Sequence, residues 1–147
     1  MNSSRKILLV EDNPGEVELA KRALVREQLP HQLMIAQDGQ EALDFLLAEG
    51  QYAGRDPDDM PALVLLDLNL PVMPGLEVLR RIRTLDRLKR LIVVVLSSSN
   101  EKRDLSTSFE LGANSYIRKP VDFEKFCSTL KQLCTYWFTI NEIPPAK

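Results

Sequence analysis

Five short apolar runs, each separated from the next by a segment of helical spacing, predict an α/β protein built on a parallel sheet. The runs are ILLV at 7–10, QLMIA at 32–36, LVLL at 63–66, LIVVVL at 91–96 and SYI at 115–117. The run at 63–66 is apolar at four consecutive positions, as in a strand covered on both faces. The segments between the runs open on recognisable helix starts, as βαβ units require.

The first helix is set by Asn13, a cap, and Pro14 at the first helical position, after which Val17, Ala20 and Leu24 recur at helical spacing. Asp38 and Glu41 have capping-box spacing ahead of Ala42, Leu43, Leu46 and Leu47, which predicts the second helix. Residues 48–62, AEGQYAGRDPDDMPA, are rich in Gly, Pro and Asp without a period and read as an exposed loop. Pro74-Gly75 opens a third helix that carries Val78, Leu79 and Ile82, with Arg80, Arg81 and Arg83 expected to face solvent. The fourth, from Asn100, has only Leu105, Phe109 and Leu111 as large apolar residues before Gly112 ends it, so weak anchoring is expected. Asp122 starts the fifth, whose wide stripe of Phe123, Phe126, Cys127, Leu130, Leu133, Cys134 and Trp137 predicts firm docking. Tyr136 and Phe138 flank Trp137 and cannot all point inward from one helical face, so part of this cluster is expected to be exposed or covered by the following residues.

A chain of 147 residues, 44% hydrophobic and 27% charged, has the balance of one globular domain. At this size folding buries roughly 68–70% of the unfolded surface, enough to need no disulfide or structural metal. A net charge of -2 offers no basic field for nucleic acid or anionic lipid. The apolar run near the N-terminus is too short for a signal-peptide core or a membrane span, so a cytoplasmic location is expected. Cys127 and Cys134 lie two helical turns apart, on the order of 10 Å, and read as buried free thiols rather than a disulfide.

The chemistry gathers at the strand ends. Glu11 and Asp12 follow the first run, Asp67 the third, Ser97 the fourth and Lys119 the fifth. In an open parallel sheet the ligand crevice lies outside the carboxyl ends of the strands. Three clustered carboxylates repel one another unless a cation compensates. Oxygen ligands of this kind favour Mg²⁺. Phosphoryl transfer needs a nucleophile, a bridging cation and fixed donors; Asp67, metal with Lys119, and Ser97 can supply them. Each residue also has a plain reading: helix-terminal acids for Glu11 and Asp12, a turn cap for Asp67, a surface lysine for Lys119, core packing for Tyr116. Ser98 and Ser99 read as a polar loop, and His31 as a surface residue with no role in phosphotransfer.

With LLVEDN (8–13), LLDLNLPVMPG (65–75), VVVLS (93–97) and GANSYIRKP (112–120) in this order and spacing, the sequence resembles the receiver domain of two-component response regulators from residue 5 to about 137. The resemblance implies a three-layer, doubly wound (βα)5 sandwich whose five parallel strands run in the order 2-1-3-4-5. It implies an acidic pair in Glu11 and Asp12, phosphorylation of Asp67 by a kinase histidine, and Mg²⁺ held by Glu11, Asp12, Asp67 and the Asn69 backbone carbonyl. Ser97 would be the switch hydroxyl, Tyr116 the switch aromatic and Lys119 the phosphoryl-binding lysine, followed by a cis bond to Pro120. Such a protein is not an enzyme toward other substrates; it catalyses only its own phosphorylation and dephosphorylation.

DLNLP (67–71), VVVLSSS (93–99), ANSYIRKPVDF (113–123) and TYWF (135–138) with a following proline pair resemble the single-domain regulators that partner bacterial phytochromes. Residues 1–138 would form the receiver and 139–147 a tail packing at a dimer interface. Output would be protein contact, with a homodimer formed through the fourth helix, fifth strand and fifth helix or through the aromatic C-terminal segment. The chain departs from the common pattern at Ser97, where threonine is commoner, at Ser98, where alanine is usual, and at Pro74, where aspartate is frequent. Two other readings stand beside this one. A constitutive dimeric module could keep the fold without switching. An aspartyl-phosphate hydrolase is disfavoured, because Asn69 stands where it would need a second acid.

Overall fold

The computed structural model describes residues 5–29, 31–120 and 122–142. Ile143 and the two prolines, expected to pack somewhere, lie outside them. Five parallel strands, β1 (Arg5–Val10), β2 (His31–Ala36), β3 (Leu63–Leu66), β4 (Val93–Ser97) and β5 (Ser115–Arg118), form one sheet in the order β2-β1-β3-β4-β5. The helices between and after them are α1 (Pro14–Arg26), α2 (Gly39–Leu47), α3 (Gly75–Thr84), α4 (Lys102–Glu110) and α5 (Phe123–Thr135). A short π-helical turn, Tyr136–Ile140, extends α5.

Every residue of β3 and β4 is buried, because each face of the sheet carries its own apolar cluster. Leu8, Val10, Leu66 and Val95 pack with Leu43, Leu46, Leu79 and Ile82 of α2 and α3. On the opposite face Ile7, Leu9, Leu65 and Leu96 pack with Leu24 of α1 and Phe126, Leu130 and Leu133 of α5. This double coverage is why the central strands read as continuous apolar runs rather than alternating ones.

The caps of α1 and α2 fall where the sequence places them, whereas α4 starts at Lys102 behind Glu101, which makes no side-chain cap bond, and not at Asn100. The Asn13 side chain accepts from the amides of Gly15 and Glu16, and that of Asp38 from the amide of Glu41. Glu41 reaches back to the amide of Gln37, one residue short of a strict capping box. The residue 48–62 segment is tied down more than expected. Tyr52 packs edge-on against Phe45 and donates to Glu41 Oε2 at 2.5 Å, and Arg55 lies 4.0 Å over the Phe45 ring.

Helix α4 is the thinly anchored element. Its only buried residue is Ser108, while Leu105 and Phe109 are exposed. Its C-terminal end is held by a residue expected in solvent. Arg83 is half-buried and donates to the carbonyls of Gly112 (2.8 Å), Leu91 (2.7 Å) and Lys89 (3.1 Å) and to Asn114 Oδ1 (2.8 Å). Its long stem carries the guanidinium off the polar face of α3 to carbonyls that need a donor. Gly112, at φ +102°, supplies the left-handed turn that brings one of them into reach.

The C-terminal aromatic cluster divides as its crowding requires. Phe138 is buried, Trp137 is partly buried and Tyr136 and Ile140 are exposed. The π-helical turn rotates Phe138 onto the core, and its carbonyl accepts from Arg5 at 3.2 Å. Cys127 and Cys134 are buried free thiols, and burial pushes the Cys134 thiol up to about 12. Among the described residues no peptide bond is cis, so the Lys119–Pro120 bond is trans, contrary to the expectation, and no helix is long and apolar enough to cross a membrane.

Candidate functional site

The register of the central strands aligns Val10 with Leu66 and Leu66 with Val95, so the residues that follow them emerge at one edge of the sheet. The Asp67 amide donates to the Val10 carbonyl at 3.1 Å, and the Lys119 amide to the Ser97 carbonyl at 2.8 Å. The ladders thus extend to the reactive residues themselves, and rigid backbone positions them.

One oxygen from each of Glu11, Asp12 and Asp67 lies within 4.8 Å of the others. Glu11 and Asp67 are buried and Asp12 is exposed. The Lys119 ammonium donates to Glu11 Oε1 at 2.7 Å and sits 3.8 Å from Asp67 Oδ2. A set of oxygen donors with no nitrogen or sulfur among them suits a hard divalent cation.

Burial outweighs the charges around Asp67. Burial, reinforced by the charge of Glu11, pushes the Asp67 carboxyl up from 3.8 to about 6. The ammonium of Lys119 and the amides of Asn69 and Leu68 pull in the other direction without cancelling it. For Lys119, burial favours the neutral form, but the bond to Glu11 and the charges of Asp67, Glu11 and Glu16 outweigh it and raise the pKa.

Helix α3 presses directly on the backbone of Asp67. A Cβ at Gly75 would meet the Asp67 carbonyl oxygen at 2.2 Å and Leu68 Cα at 2.7 Å. The Gly75 amide donates to the Leu68 carbonyl at 3.0 Å. Between them the loop turns tightly at Val72, whose φ is +69°, with the Met73 amide bonded to the Pro71 carbonyl at 2.7 Å. Asn69 is exposed on this loop.

Ser97 is fully buried, and its hydroxyl accepts from the Ser99 amide at 3.1 Å. Ser99 has more than the bland loop role read from sequence. Its hydroxyl donates to Asp104 Oδ2 at 2.6 Å and accepts from the Glu101 amide, while its carbonyl accepts from the Tyr116 hydroxyl at 3.2 Å. The knot joins Ser97, the start of α4 and Tyr116. Glu16 was also not anticipated as a neighbour of Lys119; its place in the first turn of α1 was legible, its contact was not. His31 sits at the opposite end of β2, with Nδ1 2.5 Å from the Leu29 carbonyl, apart from the site.

The family model described as the response regulator receiver domain matches residues 7–131. Response regulator Rcp1 of Synechocystis sp. is 35% identical over 99% of this chain and 97% of its own length. The crystal structure of its Mn(2+)-bound form has a TM-score of 0.85, covering 96% of this chain and 99% of that one. The phosphorylated cyanobacterial phytochrome response regulator RcpA is similar at TM-score 0.88 and 38% identity, over 97% of this chain and 99% of that one. The bacteriophytochrome response regulator AtBRR is 47% identical at TM-score 0.76, over 95% and 99%.

Proposed function

The chain belongs to the response regulator receiver domain family, and we propose that it accepts a phosphoryl group on Asp67 from the histidine of a two-component kinase of the bacterial phytochrome type. The observation that carries this reading is the Lys119 ammonium, 2.7 Å from Glu11 and 3.8 Å from Asp67, beside the clustered acids. An Asp67 oxygen attacks phosphorus, the bond to the donor nitrogen breaks, and an acyl phosphate remains on Asp67. Glu11, Asp12, Asp67 and the Asn69 carbonyl would hold Mg²⁺. When bound, the cation supplies neutralising charge to the phosphoryl oxygens. Lys119 turns from Glu11 toward a phosphoryl oxygen, and the Ser97 hydroxyl donates its O–H to another while its oxygen can go on accepting from the Ser99 amide. The chain transfers phosphate onto and off itself and acts on no other substrate. The Mn(2+)-bound form of Rcp1 and the phosphorylated form of RcpA support both the metal and the acceptor.

The test is labelling from acetyl phosphate with Mg²⁺. The parent chain takes up one phosphoryl group and loses uptake when the metal is chelated, and Asp67→Asn takes up none. Label on Asp67→Asn at the parent level overturns the reading.

We further propose that residues 139–147 are an appendage to the receiver and that output is contact with a second copy of this chain, in the cytoplasm. Exposed Leu105 and Phe109 on α4, and exposed Tyr136 and Ile140 on the C-terminal turn, support it. With beryllofluoride and Mg²⁺ present, light scattering is expected to report a larger dimer fraction. Equal fractions with and without them would favour constitutive assembly.

A further inference from the structure

One ammonium serves three carboxylates at this site, and one of the three lies outside the cluster proposed to hold metal. Lys119 Nζ is 2.7 Å from Glu11, 3.8 Å from Asp67 and 3.4 Å from Glu16 Oε1. The side chains of Glu11 and Asp67 are 4% and 8% exposed, and that of Glu16 is 41% exposed. Glu16 therefore stands on the solvent side of Lys119, reaching from the first turn of α1 toward the segment after β5.

Its position is fixed by backbone. Pro14 opens the helix, and Asn13 Oδ1 accepts from the Glu16 amide at 3.2 Å and from the Gly15 amide at 2.8 Å. Glu16 is the most exposed of the three carboxylates on Lys119, and the transferred phosphoryl group must draw Lys119 away from it.

We propose that Glu16 is a positioning and selectivity residue: its carboxylate holds the Lys119 ammonium toward the mouth of the site and sets a negative field there that disfavours small anionic phosphodonors. The inference rests on the phosphoacceptor reading above. The field repels a free dianion. A donor whose phosphoryl group arrives on a protein surface brings contacts of its own to offset the same repulsion. Removing the charge takes away the one carboxylate partner of Lys119 outside the acidic cluster, so entry of the donor and retention of the product shift in the same direction. The sign and charge dependence are what a purely structural role would not produce.

The experiment compares the parent, Glu16→Gln and Glu16→Asp for labelling by acetyl phosphate, a dianion, and by phosphoramidate, a monoanion near pH 7, at fixed Mg²⁺. In low salt, Glu16→Gln is expected to gain about five-fold in rate with acetyl phosphate. Because the repulsion scales with donor charge, the gain with phosphoramidate is about two-fold. In about 1 M salt, where the screening length is ~3 Å, both gains vanish. Glu16→Asp keeps the charge and stays near the parent. The concentration of beryllofluoride needed for half-saturation falls by a similar factor in Glu16→Gln.

Equal rates for Glu16→Gln and the parent in low salt, or equal gains with the two donors, overturn the proposal. Label on Asp67→Asn in the same series would instead overturn the phosphoacceptor reading, so the two failures are distinguishable. Glu16→Gln gives up a charge at a helix N-terminus. A thermal melt of each variant shows that the rates compare folded chains.

Discussion

Without divalent cations at pH 7.5, Asp67→Asn is expected to unfold at a temperature roughly 5–10 °C above the parent chain. The Asp67 side chain is 8% exposed, and burial raises its carboxyl from 3.8 to about 6. At about 1.36 kcal/mol per pKa unit, ionising it in the folded chain costs about 3 kcal/mol at neutral pH. Between pH 3.8 and about 6 the folded chain binds a proton that the unfolded chain has released, so this group makes stability fall as pH rises. Above pH 6 the penalty is complete, and below 3.8 it is absent. The gap between variant and parent should therefore open across that window and stay constant above it. Millimolar Mg²⁺ should narrow it again by stabilising the parent preferentially. Urea or thermal melts of both proteins from pH 4 to 8 check the prediction, and a gap that does not change with pH would refute it.

The second large effect is expected from Gly75→Ala. The added methyl would lie 2.2 Å from the Asp67 carbonyl oxygen and 2.7 Å from Leu68 Cα. Both are backbone atoms, one of them the end of a buried strand, so no rotamer change relieves the clash. Overpacking of this kind costs about 1–3 kcal/mol or more. The helix must withdraw or the loop that carries Asp67 must shift. Either displacement moves Asp67, the proposed phosphoacceptor, and 1 Å at a reacting centre can cost on the order of 10²-fold. Gly75→Ala is thus expected to lose about 3 kcal/mol in denaturant melts and, where folded, to label about 100-fold more slowly from acetyl phosphate. Parent-like stability together with a parent-like labelling rate would show that α3 does not constrain Asp67.

Much of this arrangement could be read from local sequence. Asn13, Asp38 and Asp122 cap helices in the structure as their spacing predicts, because capping bonds involve residues two or three apart. The buried run before Asp67 marks both the strand and its end, and the strand order that the family resemblance implies then gathers Glu11, Asp12, Asp67, Ser97 and Lys119 at the carboxyl ends of the strands. What was not legible depends on tertiary packing. Arg83 sits in a polar pattern on α3, yet its guanidinium reaches carbonyls of the segments around β4 and β5. The meeting of Glu16 and Lys119 joins α1 to the segment after β5. Ser99 looked like one polar residue among three, and only the folded loop shows its hydroxyl on Asp104. The π-helical turn at Tyr136–Ile140 broke the regular spacing from which the aromatic cluster was read.

The bond from the Ser99 amide to the Ser97 hydroxyl has a consequence for how large a signal this molecule can send. In the proposed reaction the Ser97 hydroxyl donates to a phosphoryl oxygen while its oxygen can go on accepting from the Ser99 amide, so a partner is added and none has to be given up. Phosphate can shift the loop no further than its differential affinity for the two arrangements. From this bond alone the shift is bounded by the worth of a hydrogen bond to a charged group, about 1.5–3 kcal/mol. The resting molecule would then behave as a quiet version of the signalling one rather than as a silent one.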